Sequence, residues 1–496
     1  ALGDYSRKRS MASCCRALES SPAKLPGTGL MKNVKVYARV PDYHGKRFLR
    51  ARLPEKIRDW SHGRFRSVTD DGDGYIKLVN MLDKLNEEKA WRWPEKRHYF
   101  FSDLHADALA FADSLVASGG VKRTGPGAME FELTKAGRHS TFVIGGDCFD
   151  KGPSSLDLLK TIHHLIGLGA DVEILAGNHD IRVMLGMTAV DATKDRFNEH
   201  FFIRTGQKII PLLKEIRQQH VSDKFLKKMP GNKECRKRLF PSDDWFDVFP
   251  DIASKTIRPA QVKREISRIK KKYDRFEKQC HDNDLSLKEV YAAVEKWKSL
   301  FMQSDGEFAW FYQRMRLGLR SGSFLFIHAG LDNKTAADLF KKGIKHLNHQ
   351  FRDGLKHKPF SFYYGPLCNS IRTKYRDVDH PLTSHGTRYI RRAGISAVIH
   401  GHRNLHYGQR ISLRKSVFNF ECDASVDSHT RSREGLKGYG AGVTIIEPKG
   451  YILGISTDYP YAKLFKPDLT LAKLKKLEHK QIKDRQSKHT KRGRAA

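Results

Sequence analysis

Seven side chains with an affinity for divalent cations stand in three short clusters between Arg97 and Ile181. The clusters read RHYFFSDLHAD, STFVIGGDCFDKGP and DVEILAGNHD, and they hold Asp103, His105, Asp147, Asp150, Asn178, His179 and Asp180. Carboxylate, imidazole and amide oxygen together, without a Cys pair, suit Mn, Fe, Zn or Mg and not a structural thiolate site. Two later stretches end in the same way, SFLFIHAGL at His328 and ISAVIHGHRN at His402. Such a set could close a two-metal site, in which two ions about 3.5–4 Å apart acidify a shared water.

Each cluster begins where a run of Phe, Val, Ile and Leu stops. Four or five such residues bounded by polar and glycine punctuation predict a buried strand. Strand ends gathered on one sheet edge would bring the clusters to a common point, where open α/β sheets bind ligands.

The motifs SDLHAD, GGDCFDKG, GNHD, HAGL and HGH, in this order, resemble those of the calcineurin-like metallophosphoesterases, in particular the phosphoprotein phosphatase and diadenosine-tetraphosphatase branches. The resemblance covers roughly residues 99 to 180 and 324 to 459. It implies a four-layer α/β/β/α sandwich and two divalent metal ions, with Mn favoured over Fe, Zn or Mg. Asp103, His105 and Asp147 would hold one ion; Asp147, Asn178, His328 and His402 would hold the other, with Asp147 bridging to offset their repulsion. His179 resembles the family's proton donor to the leaving group, oriented by a carboxylate for which Asp180 is nearest in sequence. Lys151 replaces the Arg usual in the protein-phosphatase branch, a point charge in place of a bidentate fork. It is kept as a substrate-binding candidate beside Arg372 and Arg376, one of which is expected to grip the substrate phosphate. Asn404 stands where many relatives carry a second His, so one His is expected from this motif. His400 and His406 are expected to support the ligands instead of joining them.

The implied activity is hydrolysis of a phosphate monoester, in a phosphoprotein or a small phosphorylated metabolite, by a metal-bridging water. The alternative is a phosphodiesterase or pyrophosphohydrolase acting on nucleic acid or dinucleoside polyphosphates. A third class, a binding protein without catalysis, sits poorly with an intact ligand set.

The chain supplies 496 residues, 39% of them hydrophobic, enough for a sizeable core. No run of 18 apolar residues predicts a membrane span, and the first residues lack the apolar stretch of a secretory signal. Seven scattered cysteines predict neither a disulfide framework nor a zinc site, which fits a reducing, cytoplasmic setting. Cys148 reads as a small buried residue beside the site and not as a redox group. A formal charge of +35 favours anionic partners, a phosphorylated substrate first and nucleic acid as the alternative, without assigning either.

Residues 1–65 form a basic N-terminal extension whose first ~30 residues read as disordered. Residues 66–186 and 320–465 are the two halves of the core, 187–319 a helical insertion, and 466–496 a basic tail. TDDGDGYIKLVN echoes a calcium loop, but Asn80 occupies the twelfth position where a bidentate Glu belongs. Ile76, Val79, Leu82 and Leu85 predict instead a helix over Tyr75–Ala90. In the insertion, Val262, Ile266, Ile269, Tyr273 and Phe276 form one apolar stripe. Val290, Val294, Trp297 and Phe301 form a second, preceded by Ser286 and Glu289 at capping-box spacing. The stripes predict two antiparallel helices that cap the catalytic edge and select substrates. After His402, SVFNFECDAS, GAGVTIIEP and YILGISTDYP predict closing strands.

Overall fold

The computed structural model describes residues 38–60, 74–191 and 193–476. Its strands are β1 (Ile57–Asp59), β2 (Arg97–Phe101), β3 (Val121–Arg123), β4 (Phe131–Leu133), β5 (Ser140–Ile144), β6 (Asp171–Leu175), β7 (Met315–Arg316), β8 (Gly318–Ser321), β9 (Phe324–Ile327), β10 (Ala397–His400), β11 (Arg410–Arg414), β12 (Val417–Glu421), β13 (Gly442–Glu447), β14 (Tyr451–Ser456) and β15 (Ala462–Phe465). One sheet has the order β1-β15-β14-β13-β2-β5-β6-β7, a second β11-β12-β10-β9-β8, and β3 and β4 form a hairpin. Strands β2, β5 and β6 run parallel, as do β9 and β10. These five are the strands that carry the clusters, so every cluster follows a C-terminal strand end.

Alternation along β2 shows how the layers form. Phe100 enters the core between the sheets with Val143 and Leu175, where it meets Phe324, Phe326, Ile399, Phe418 and Phe420 of the second sheet. Phe101 points the other way and meets Phe111 edge-on at 5.5 Å. Phe111 belongs to helix α2 (Ala108–Ala117), which with α3 (Ser155–Gly167) covers the outer face of the large sheet. The outer face of the small sheet is covered by α8 (Asn333–His357) and α9 (Ser384–Arg392). Both faces of β2 and β5 are thus buried, which is why they read as unbroken apolar runs. The architecture is the four-layer α/β/β/α sandwich.

The boundaries differ from the sequence reading in several places. Ile57–Asp59, expected in a loose extension, pairs in parallel with β15, and Trp60 packs edge-on against Phe420 at 5.7 Å. At the other end Leu471 and Leu474 of the expected tail are buried in the inter-sheet core. Helix α1 (Gly74–Glu87) includes Asn80, so the calcium-loop spacing runs into a helix; its first five positions lie outside the described residues. The buried face of α1 is Leu78, Val79, Leu82 and Leu85, while Ile76 is 51% exposed. The disorder expected for the first ~30 residues and the charge run beyond residue 476 also lie outside the described residues. The insertion closes before Met315, because β7 pairs with β6 through Ile174 and Met315 and so belongs to the large sheet. None of the described helices is long and apolar enough to cross a membrane.

Within the insertion, α6 (Pro259–His281) and α7 (Leu287–Phe301) are helices at the two expected stripes. Ser286 and Glu289 cap α7 reciprocally: each side chain accepts the other's backbone N–H. Val290, Val294, Trp297 and Phe301 are all buried, and α7 packs mainly on α5 (Ile210–His220). On α6 the buried face is Val262, Ile269, Phe276 and Cys280, with Glu265 among them; Ile266 and Tyr273 are only partly covered.

Glu265 accepts hydrogen bonds from the Arg204 guanidinium, from Arg268 Nη1 at 3.0 Å and from Tyr364 OH at 3.1 Å, and Tyr364 OH lies 2.9 Å from His200 Nε2. Burial would raise the pKa of Glu265, but the Arg204 and Arg268 charges hold it down to about 2. A carboxylate with a depressed folded-state pKa lends stability above its unfolded value of 4.5 and loses it as pH falls from there towards about 2. Removing the charge leaves Arg204 buried and uncompensated. Glu265→Gln should therefore lower the urea-unfolding free energy at pH 7 by about 3 kcal/mol. Its deficit against the native chain should shrink as the pH is lowered from 4.5, and a deficit that is constant across this window would contradict the account.

Candidate metal centre

The five strand-end clusters meet at one place, and tight backbone makes this possible. Asp103, His105, Asp147, Asp150, Lys151 and His402 all have φ between 42° and 73°. Non-glycine residues adopt that region at a cost, and such strain gathers at functional sites. Two glycines allow the close approach. A Cβ on Gly177 would lie 2.0 Å from the Asp147 nitrogen, and one on Gly401 would lie 1.6 Å from Ser102 Oγ. The Gly of GNHD and that of HGH are thus required by packing.

Asp147 is at the centre. Its Oδ2 lies 3.9 Å from both His105 Nε2 and His179 Nε2, and its Oδ1 lies 3.5 Å from His328 Nε2. Asp103 Oδ1 lies 4.0 Å from His105 Nε2, and Asp103 Oδ2 accepts from the His402 N–H at 2.8 Å. The ligand-type atoms form two groups that share Asp147, one with His105 and His179 and one with His328 and His402. The first differs from the expected set in containing His179; Asp103 lies at its edge.

Backbone carbonyls fix the imidazoles. His105 Nδ1 donates to Phe149 O at 3.1 Å, His328 Nδ1 to Gly145 O at 2.7 Å, and His402 Nε2 to Arg372 O at 3.0 Å. At His105 and His402 the bond leaves the other ring nitrogen with its lone pair, the arrangement typical of metal-ligating His, whereas at His328 the Asp147 carboxylate outweighs burial and raises the ring's pKa to about 10. Burial lowers the pKa of His105 and His402 well below 6.5, which keeps them neutral. Burial pushes Asp147 the other way, yet the His328 and His179 rings beside it hold it well below the ordinary carboxylate range.

Two expected ligand atoms, Asn178 Oδ1 and His328 Nε2, are buried with no hydrogen-bond partner among the described residues. Leaving such atoms unpaired costs about 1–3 kcal/mol each. A cation between Asp147, Asn178, His328 and His402 would satisfy both, so these residues fit a divalent ion.

The expected role of Asp180 is not met. Its carboxylate is fully buried and turned away from His179, accepting the backbone N–H groups of Asp147 at 2.9 Å, Cys148 at 2.8 Å and Gly177 at 3.0 Å. The reason is its place as third residue of helix α4 (Asn178–Thr188), where an acidic side chain folds back on the N-terminus. It clamps the loop that carries Asp147. The carboxylate that holds His179 is Asp150, whose Oδ2 is 2.5 Å from Nδ1. The aspartate three residues after Asp147 in GGDCFD was the available signal. Arg182, one turn beyond His179 on α4, lies 3.9 Å from Asp150 and was also missed.

Lys151 is not aimed outward at a substrate; its Nζ is 2.7 Å from His105 Nε2. Arg372 and Arg376 both line the cavity that opens beside His179 and His402, with the Arg372 guanidinium 5.2 Å from the Tyr363 ring centre. His400 is fully buried at the end of β10, and His406 lies 3.5 Å from Glu434; neither joins the ligand groups. Cys148 is buried, and burial raises its thiol pKa well above 9.

Asp180→Asn puts an amide NH₂ against backbone donors and should loosen the Asp147 loop. Metal affinity by calorimetric titration with Mn is expected to fall by about 10- to 100-fold, the cost typical of losing a residue that supports a ligand. Native affinity in this variant would show that the clamp does not position Asp147.

No family model and no curated protein matches the chain. Among solved structures it is similar to the cold-active protein-tyrosine phosphatase of a psychrophile Shewanella sp., at TM-score 0.40 and 11% identity over 76% of this chain and 84% of that one. It is also similar to a protein serine/threonine phosphatase from Saccharomyces cerevisiae, at TM-score 0.33 and 10% identity over 79% of this chain and 90% of that one.

Proposed function

We propose that this chain is a metal-dependent hydrolase of phosphate monoesters that uses two divalent ions, Mn first among them. The observation that carries the reading is Asp147, shared between two groups of metal-ligating atoms beside a hydrogen-bonded His179–Asp150 pair. Bound ions would supply positive charge for the phosphoryl oxygens and lower the pKa of a water.

The chain's own residues do the rest. Asp103, His105, Asp147, Asn178, His328 and His402 would hold the ions, and backbone carbonyls already orient the rings of His105, His328 and His402. In hydrolysis the water oxygen bonds to phosphorus, the ester P–O bond breaks, and the leaving oxygen needs a proton. His179 is placed to give it. Burial lowers the pKa of His179, and Asp150, accepting from Nδ1, opposes that shift and favours the protonated ring whose Nε2–H would face the centre. Arg372 at the cavity wall adds a fixed charge beside the substrate phosphate, and Arg182 adds another next to Asp150.

Asp147→Asn should abolish turnover and lower bound metal, measured by elemental analysis, while circular dichroism stays native. Retention of most of the hydrolytic activity would sink the shared-carboxylate reading. His179→Asn should keep the metal but slow hydrolysis by about 10²–10⁴-fold, most for alkyl phosphates and least for nitrophenyl phosphate, whose leaving group needs no proton. Equal slowing of both would count against proton donation. Assay of the Mn-loaded protein on nitrophenyl phosphate and bis-nitrophenyl phosphate in parallel tests the monoester assignment.

A further inference from the structure

The cavity beside the metal centre is larger and more cationic than one phosphoryl group requires. Its volume is ≈ 800 Å³, and it extends from His179 and His402 to helix α6 of the insertion. Eleven Lys and Arg residues line it against two carboxylates, Glu265 and Asp379. Both carboxylates are engaged, Glu265 by Arg204 and Arg268, Asp379 by the backbone N–H groups of Lys374 and Arg376.

Five of the cations stand on α6 as Arg264, Arg268, Lys271, Lys272 and Arg275. The intervals of four, three, one and three residues put them on one helical face, and eleven residues at 1.5 Å each make a stripe about 16 Å long. Like charges at these intervals destabilise a helix. Some other helix cations of the insertion are paired, as in Lys278 with Asp282 and Arg236 with Glu277. Arg264, Lys271 and Arg275 make no ion pair with a described residue. The crowding is felt: burial and the nearby Arg204 and Arg182 charges push the Lys272 ammonium down to about 7. An ordinary solvated face would be convex and interspersed with acids; this one lines a concavity that opens onto the metal centre.

The cavity lacks what a polynucleotide would use. Among the described residues its only aromatic walls besides imidazoles are Tyr363 and Tyr364, both at least nine-tenths buried, so they offer no open ring for a base to stack on. We infer that the substrate is a small molecule carrying several phosphoryl groups, one placed at the His179–His402 end and the others held by the α6 stripe. This rests on the hydrolase reading for the end where reaction occurs. A phosphoanhydride chain and a polyol ring bearing several phosphates share the required chemistry.

Calorimetric titration of the metal-depleted full chain at 150 mM salt separates the possibilities. Inorganic phosphate, tripolyphosphate, inositol hexakisphosphate and hexathymidylate are the probes. Tripolyphosphate or inositol hexakisphosphate should bind at least about tenfold more tightly than phosphate, and the tighter of the two identifies chain or ring. In the variant Arg264→Gln/Lys271→Gln/Arg275→Gln, all exposed positions, that ligand should lose on the order of tenfold in affinity and phosphate much less. Lys341→Gln/Lys342→Gln/Lys345→Gln, which removes three exposed charges from α8 away from the cavity, should change neither. Equal affinity for phosphate and both polyphosphates, tighter binding of hexathymidylate, or an equal loss in the α8 variant would each overturn the inference. The Mn-loaded native chain is assayed separately on nitrophenyl phosphate. Failure there defeats the hydrolase reading, whereas failure in the titrations defeats only the substrate class.

Discussion

A single buried negative charge, on Asp147, is the constraint from which the rest of the centre follows. A carboxylate withdrawn from water is costly unless charges or donors face it. Asp147 is faced by His105, His179 and His328, and its Oδ1 also accepts the first-turn N–H of His179 at 2.8 Å. Because that N–H belongs to the start of α4, the helix terminus, the β5 loop and the carboxylate are locked together. Asp180 completes the lock from below by taking the N–H groups on either side of the β5–α4 junction. Shifting the loop would break several of these bonds at once.

That lock also explains why residues remote in sequence can be placed so closely. Each strand end delivers one or two side chains, and parallel pairing of β2 with β5 and β6 sets their spacing. The second sheet brings His328 and His402 to the same point because its parallel strands β9 and β10 pack face to face on the first through Phe324, Phe326 and Ile399. Geometry of the candidate metal site is therefore set by sheet packing, which places the strand ends, and by the tight loops after them, which carry Asp103, His105, Asp147, His328 and His402.

The insertion relates to the centre through a different kind of contact. Arg204, Glu265, Tyr364 and His200 form a buried polar network that joins the start of the insertion, helix α6 and the segment before Arg372. Such networks are costly when incomplete and specific when satisfied. This one fixes α6 so that its basic face borders the cavity while Val262, Ile269 and Phe276 face the interior. Placement of the cations is thus a consequence of one buried acid in an otherwise apolar stripe.

Much of this was legible in the residues alone. Apolar runs ended by metal-liking clusters marked the strands and their active ends, since burial on both faces demands continuous Phe, Val, Ile and Leu. The 3.6-residue stripes and the Ser286–Glu289 box marked the insertion helices for the same local reason. Sequence proximity failed where side-chain direction decided the partner. Asp180 adjoins His179 in the chain but turns back to cap its helix, whereas Asp150, 29 residues away, meets the imidazole across the loop. Lys151 likewise faces His105 instead of the open cavity. Chain ends failed for a related reason: Ile57–Asp59 and Leu474 look unremarkable among basic neighbours, and only pairing with β15 and burial between the sheets make them core. Most of the elements and the positions of the candidate ligands can be read from the chain alone, because those follow from local period and residue type. Tertiary structure alone decided which carboxylate serves which imidazole and which basic face meets the cavity, because those depend on directions set by packing between elements far apart in the chain.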